Sequence, residues 1–103
     1  MDQSRIIELL EHEWDLEGGC LGQLRFGVYD REGFERLIGV LRSVDLGNEG
    51  YISRRLVSLV WFIPTFVEWH RGRVLELGGG VEELDRQAQI IAGLLLEDIF
   101  GPP

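Results

Sequence analysis

The chain has 103 residues, of which 45% are apolar and 27% are charged, and this composition predicts one folded domain spanning residues 1–103. Eighteen acidic and ten basic residues give a net charge of −8, which disfavours nucleic acid as a partner and favours a basic protein. A single cysteine excludes an internal disulfide, and the acidic start of the chain lacks the basic region of a signal peptide, so we expect a cytoplasmic protein.

The first segment, SRIIELLEHEWDLE, predicts an amphipathic helix that begins after Asp2 or Ser4 and ends at a Gly-Gly pair. Glu8, Glu11 and Asp15 follow one another on one face of this helix, where they are expected to form an acidic stripe. The opposite face carries apolar residues at helical spacing: Ile6, Ile7, Leu10 and Trp14.

A glycine-rich segment, residues 18–30, follows the first helix and mixes its glycines with leucine, phenylalanine, valine and tyrosine. These apolar residues predict a loop that packs against the protein, and a short hairpin over residues 23–29 is the alternative. Asp30 is the expected N-cap of a second helix, REGFERLIGVLRSV, which ends before a turn, DLGNEG, at residues 45–50. The residues expected on its inward face are Phe34, Leu37, Ile38, Leu41 and Val44.

The most apolar segment, residues 53–77, predicts a central core helix. Its apolar stretch from Leu56 to Trp69 has 14 residues, fewer than the roughly 20 that a bilayer requires, so no membrane span is expected. Pro64 is expected to kink this segment. It either marks the boundary between two helices that wrap a curved core, or it marks a hinge or a ligand site. The face expected in the core comprises Ile52, Leu56, Leu59, Val60, Ile63, Phe66 and Val67.

Trp61 falls on the narrow polar face of the same segment, which also carries Glu68. Two interpretations of Trp61 stay open. An exposed tryptophan among small polar groups has the composition of a binding hot spot. Alternatively, the loop at residues 18–29 covers the side chain, which would make Trp61 part of the core.

The last segment, GGGVEELDRQAQIIAGLLLEDIFG, predicts a helix with acidic residues in its first turn, where the helix dipole favours negative charge. Its inward stripe is expected to comprise Leu84, Ala88, Ile91, Leu95 and Ile99. Together the segments predict an all-α fold, a compact bundle of four to five helices with a kinked apolar central helix and a packed Gly-rich loop.

Residues that carry catalysis or bind metals are few in this sequence. His12 lies one turn after Glu8, but two ligands do not make a metal site, and His70 is expected on the core side of its helix. Cys20 lies in an acidic region that disfavours a reactive thiolate, and GGGVEE lacks the spacing and the lysine of a phosphate-binding loop. We therefore predict no enzymatic activity, no metal and no cofactor.

The acidic residues of the first helix are the strongest candidates for binding a partner, since the first 17 residues hold six acids and one arginine. Carboxylates facing a cationic cleft would speed association, while a tryptophan would supply an apolar anchor. The alternative is a solvated face that arginines of the same chain neutralise. The predicted partner-binding residues are Glu8, Glu11, Glu13, Asp15, Glu17, Trp61, Glu68 and Trp69.

The size, the acidity and the lack of catalytic motifs predict a non-catalytic inhibitor of a basic protein. Bacterial immunity proteins that occlude nuclease-like toxins have these properties, and the likeness is to that class rather than to a sequence motif. The alternative is a self-associating helical adaptor, regulator or secretion chaperone that forms a homodimer, because Ile90 and Leu94 lie off the main apolar stripe of the last helix.

Overall fold

A computed structural model describes residues 2–45 and 51–101, and within them the protein is an all-α bundle that is 72% helical and has no strand. The predicted helical fold is therefore confirmed. The predicted turn at residues 45–50 lies, apart from Asp45, outside the described residues. The elements in chain order are α1 (Gln3–Trp14), α2 (Cys20–Leu24), α3 (Arg31–Arg42), α4 (Arg54–Val60), α5 (Ile63–Glu76), α6 (Glu82–Gly93) and a π-helical segment (Leu94–Ile99).

Helix α1 begins where the sequence predicts, because the Asp2 carboxylate accepts a hydrogen bond from the Arg5 backbone N–H at 2.9 Å. It ends at Trp14, whose indole N–H donates to the Leu59 carbonyl of α4 at 2.9 Å. The Trp14 ring also meets the edge of Phe66 of α5 with 4.8 Å between ring centroids. These contacts fix α1 across both α4 and α5.

The glycine-rich segment contains the short helix α2 rather than a hairpin, and its buried residues include Cys20 and Leu24. Gly22 permits this packing, since a Cβ at that position would lie 1.9 Å from the Asp15 carbonyl oxygen at the end of α1. Gly33 of α3 has a similar role, because its Cβ would lie 2.7 Å from the Cys20 Cβ. Glycine at both positions thus lets α2 lie against α1 and α3.

Helix α3 follows the predicted pattern closely. The Asp30 carboxylate accepts a hydrogen bond from the Gly33 backbone N–H at 3.0 Å, which caps the helix. The inward side chains form the centre of the core, except that Val44 is only partly buried. The buried residues of the predicted stripe are Phe34, Leu37, Ile38 and Leu41.

The apolar segment forms two helices, α4 and α5, because Trp61 and Phe62 form a turn that interrupts the helical hydrogen-bond pattern, although both keep right-handed helical dihedral angles. Pro64 lies in the first turn of α5, where a missing backbone N–H breaks no hydrogen bond within the helix. Ile52 of the predicted core face is partly buried. The other residues of that face are buried, namely Leu56, Leu59, Val60, Ile63, Phe66 and Val67.

The last helix continues without interruption from α6 into the π-helical segment. Leu84, Ile91, Leu95 and Ile99 of the predicted stripe are buried, and Ala88 packs against the core from a partly buried position. Widened π-helical turns are uncommon in proteins and occur frequently at functional sites. In this segment Leu95 and Ile99 face the core, whereas Leu96 and Phe100, the residue after the segment, are exposed.

The molecule measures 45 × 28 × 19 Å along its principal axes. Because a helix with its side chains is about 10 Å across, the shortest dimension holds two layers of helices. Each of the longer helices keeps exposed residues on one face, whereas four of the five residues of α2 are buried. Within residues 2–45 and 51–101, none of the helices combines the length and the apolar character needed to cross a membrane.

Candidate functional site

The acidic stripe of α1 lies at the surface. The Glu8 carboxylate pairs with Arg5 at 3.0 Å, and the Glu11 carboxylate pairs with Arg55 of α4 at 2.8 Å. Asp15 lies just beyond the helix and is also exposed. Arginines of the same chain thus contact two of the three predicted stripe residues, through exposed pairs that contribute little to stability.

Glu17 is exposed one turn beyond the helix, whereas Glu13 is buried, with 1% of its surface accessible. The Glu13 carboxylate accepts two hydrogen bonds from the Arg36 guanidinium, at 2.6 and 2.9 Å, and one from the Cys20 backbone N–H at 3.3 Å. Its cationic partner is therefore internal, which corrects the expectation that Glu13 faces a partner protein. The sequence held a signal for this, because Glu13 lies seven residues after Ile6 and so on the same helix face.

Two tryptophans form an exposed aromatic ridge with Phe62 between them. Trp61 is 58% exposed and Trp69 is 69% exposed. The Phe62 ring lies 5.3 Å from the Trp61 ring and 5.1 Å from the Trp69 ring, measured between centroids. Since Trp61 is exposed, the interpretation that residues 18–29 cover it is wrong.

The aromatic ridge (Trp61, Phe62 and Trp69) rests on rings that are fixed in the core. Phe66 lies 6.3 Å from Phe62 and 4.3 Å from the His70 ring, again between centroids. The His70 Nδ1 atom is 2.9 Å from the Phe66 carbonyl oxygen, which gives this histidine a hydrogen-bonded structural position. Through Phe62, the two exposed tryptophans are therefore in contact with rings that pack against the core.

The acidic stripe and the aromatic ridge are neighbours across a shallow cleft of about 300 Å³. Trp14 and Phe62 lie on its walls together with Arg55, whose guanidinium pairs with Glu11 of the stripe. The cleft therefore connects Glu11 of the stripe, through Arg55, with Phe62 of the aromatic ridge. Sequence periodicity alone gave no indication of this proximity.

A second depression, the α5/α6 groove, runs between α5 and the last helix on the other side of Trp61. One half has a volume of about 330 Å³ and is lined by Trp61, Pro64, Ala92, Leu95, Leu96 and Phe100. The other half, about 470 Å³, shares Pro64 and Ala92 with the first and extends past Glu68 to Arg71 and Asp85. Glu68, a predicted binding residue, thus lines this groove rather than the cleft beside α1.

Arg71 and Asp85 close the polar end of the α5/α6 groove. The guanidinium donates to both carboxylate oxygens, at 2.7 and 2.8 Å. This bidentate hydrogen bond lowers the pKa of the Asp85 carboxyl and raises that of Arg71. Because the guanidinium and the carboxylate neutralise each other, neither presents an unpaired charge to a ligand in the groove.

The groups with nucleophilic chemistry are built into the core. Burial, with the negative charge of Glu13 beside it, raises the pKa of the Cys20 thiol, so the thiolate is disfavoured at neutral pH. Burial and the charge of Glu83 raise the pKa of Tyr29 to about 12, and its hydroxyl donates to the side-chain oxygen of Gln87. The described residues contain no group of three or more histidine, cysteine, aspartate or glutamate side chains placed to hold a metal ion.

Comparison of the chain with protein-family models, with curated proteins and with solved structures finds no match.

Proposed function

We propose that this chain is a non-catalytic binding protein that neutralises a basic protein partner by covering its cationic cleft. A bacterial immunity protein that blocks a nuclease-like toxin is the class of protein we propose. The observation that carries the proposal is the aromatic ridge, because it exposes two tryptophans beside an acidic helix. Tryptophan is among the residues most enriched where protein interfaces gain their affinity.

The ridge and the acidic stripe have complementary roles in this proposal. Burial of Trp61 and Trp69 against the partner supplies affinity, since each aromatic side chain covers about 150–250 Å². The stripe and the net charge of −8 accelerate the encounter with a cationic surface and set the orientation of the complex. Exposed pairs such as Glu11–Arg55 exchange partners at little cost, so they do not prevent the stripe from contacting a basic cleft.

A charge-reversal experiment tests the role of the stripe. The triple variant Glu8→Arg, Glu11→Arg, Asp15→Arg is expected to lose most of its partner binding, because its acidic face becomes basic. A triple variant reversed at three exposed acids elsewhere, Glu32, Glu76 and Glu82, is the matched control. Both variants carry a net charge of −2, since each reversal adds two units to −8.

The measurement is capture of the partner from a lysate of the native host, followed by titration of the captured protein at low and high salt. The proposal requires one basic partner that the control variant retains and the stripe variant loses. Equal binding by both variants, with folding checked by circular dichroism, contradicts the role of the stripe. Equal loss in both shows that only the bulk charge matters.

The aromatic ridge is tested by comparing exposed and packed tryptophans. Trp61→Ala and Trp69→Ala are each expected to weaken partner binding at least tenfold with little change in melting temperature. Trp14→Ala is the contrasting variant, because Trp14 packs on Phe66 and donates a hydrogen bond to Leu59, so its loss lowers stability. A drop in melting temperature for Trp61→Ala as large as that for Trp14→Ala would show that Trp61 is structural.

The self-associating module remains the second candidate, and it is favoured by a different observation. Ile90 and Leu94, on which the sequence argument relied, pack partly against the core. At the end of the last helix the exposed large apolar residues are instead Leu96, 68% exposed, and Phe100, 43% exposed. Sedimentation equilibrium decides between the candidates, since the favoured function predicts a monomer in the absence of the partner.

A further inference from the structure

The α5/α6 groove has the shape of a site that receives a helix. Its floor is made of short side chains, Pro64, Ala88 and Ala92, so the depression lies between the two helices rather than under one bulky residue. Its apolar end is walled by Trp61, Leu95 and Leu96. Helices dock in such grooves by placing one apolar face on the floor.

The length of the groove sets the size of the occupant. The last helix and the residue that follows it line the groove from Asp85 to Phe100, which at about 1.5 Å per residue corresponds to roughly 22 Å. A helix of about four turns fills this length and presents four or five apolar residues at i, i+3 or i+4, i+7 and i+11.

The charges around the groove determine the chemistry of the occupant. Glu68 on its wall is exposed, and within the described residues it has no base in ion-pair distance. The lining arginine, Arg71, is held by both oxygens of Asp85. Glu68 therefore places an unneutralised negative charge beside the apolar floor, and the complement of this surface is a helix with an apolar face flanked by basic residues.

We propose that the α5/α6 groove binds an amphipathic basic helix of the partner, with the apolar face between Trp61 and Leu96 and a base beside Glu68. This inference rests on the proposed function, because it assumes that the chain binds a basic protein. It adds a second contact surface beside the aromatic ridge. Trp61 belongs to both the ridge and the groove and connects them.

A synthetic peptide tests the groove without the natural partner. The probe has about 18 residues, since shorter helices are marginal in water, and carries leucines at helical spacing on one face and arginines beside them. A scrambled peptide of identical composition, with the leucines distributed around the helix, is the control for attraction by bulk charge. Isothermal titration calorimetry in 0.15 M salt gives the Kd of each peptide, and the ordered peptide is expected to bind at least tenfold more tightly.

Two leucine variants locate the binding site. Leu96→Arg places a charge in the groove, and Leu16→Arg places the same charge at another exposed leucine, so both keep the core intact and change the net charge equally. Leu96→Arg is expected to weaken the ordered peptide at least tenfold, while Leu16→Arg changes its Kd less than twofold. Leu96→Met is expected to bind like the original chain, because it preserves the apolar wall.

Several outcomes overturn the inference. Equal affinity for ordered and scrambled peptides means that only charge attracts them, and equal weakening by both arginine variants means that the groove is not the site. A dimer that Leu96→Arg dissociates assigns the groove to a second copy of the chain. If the peptide fails while partner capture still depends on the acidic stripe, the groove inference is wrong and the proposed function stands.

Discussion

Two arginine–carboxylate pairs in this protein share one geometry and differ in their surroundings. Arg36 holds Glu13 at 2.6 and 2.9 Å, and Arg71 holds Asp85 at 2.7 and 2.8 Å, each time through two guanidinium nitrogens. The side chain of Glu13 is 2% exposed, whereas that of Asp85 is 42% exposed. The first pair lies at the junction of α1, α2 and α3, and the second lies at the polar end of the α5/α6 groove.

This difference in exposure distinguishes a charged pair that belongs to the packed interior from one that borders an accessible surface. At the α1–α2–α3 junction, a buried charge, a cysteine and several glycines stand close together, yet every one of these groups is packed or hydrogen-bonded within the fold. Along the α5/α6 groove, the charged pair is satisfied but Trp61 and Leu96 remain exposed. Unsatisfied apolar surface, rather than a concentration of reactive side chains, therefore marks the region suited to binding.

The largest expected effect comes from filling the space at the junction. A methyl group at Gly22 would lie 1.9 Å from the Asp15 carbonyl oxygen and 2.9 Å from the Leu16 Cα, both of them backbone atoms. Gly22→Ala is therefore expected to lower the free energy of unfolding by about 3 kcal/mol or more, because α2 must move away from α1. Urea denaturation followed by circular dichroism measures this change.

Gly39→Ala is the matched control for that measurement. Gly39 lies within α3, and a methyl group there would meet nothing within 4 Å. Alanine forms helix more readily than glycine, so this variant is expected to gain about 0.5–1 kcal/mol. If Gly22→Ala were as stable as Gly39→Ala, the close contact between α1 and α2 would be refuted.

Removing the buried carboxylate has the next largest expected effect. Glu13→Ala leaves the Cys20 backbone N–H without its acceptor and opens space beside it, while Arg36, whose side chain is 47% exposed, can turn to water. We expect a loss of about 2 kcal/mol in the free energy of unfolding. Glu11→Ala, which removes an exposed pair with Arg55, is expected to cost less than about 0.5 kcal/mol.

Comparison of these two variants by thermal denaturation sharpens the distinction between buried and exposed acids of α1. It also tests whether Glu13 contributes to partner binding. Because its carboxylate is enclosed, Glu13→Ala is expected to leave the affinity of the folded protein unchanged. A selective loss of affinity without a loss of stability would return Glu13 to the partner surface.

The sequence predicted the long helices well because their caps and apolar spacing are local signals. Asp30 caps α3 as expected, and the polar phase of Trp61 within its segment agrees with its exposure. The short helix α2 was missed because five residues interrupted by a glycine show no helical period, and only contact with α1 and α3 stabilises it. The division near Pro64 was foreseen as one alternative, and it falls at Trp61 and Phe62 because proline fits the first turn of a helix.

The functional surface was harder to predict, since it depends on distances between segments remote in sequence. Periodicity identified Trp61 as outward-facing. Only the fold shows that its ring neighbours Phe62 of the α1 cleft on one side and that it lines the α5/α6 groove together with Ala92 on the other.

The predicted inward stripe of the last helix holds as far as Leu95 and Ile99, and Leu96 and Phe100 lie outside it. They were not singled out, because helical spacing places them off the stripe but gives no sign that they line a groove with Trp61.

The smallest expected effect concerns the exposed pair at the groove and depends on pH. Because Arg71 lowers the folded-state pKa of Asp85, the ionised carboxylate stabilises the fold above the unfolded-state value of about 3.9, and this contribution disappears as the pH falls through the folded-state pKa. Asp85→Asn is expected to reduce the melting temperature slightly at pH 7 and to match the original chain at pH 2. Glu82→Gln is the control, since Glu82 lies in the same first turn of α6 and has no ion pair within the described residues. Subtracting the change in melting temperature caused by Glu82→Gln from that caused by Asp85→Asn removes the contribution of the helix dipole. If a difference between Asp85→Asn and the original chain persisted at pH 2, the Asp85 pair would not titrate as the geometry requires.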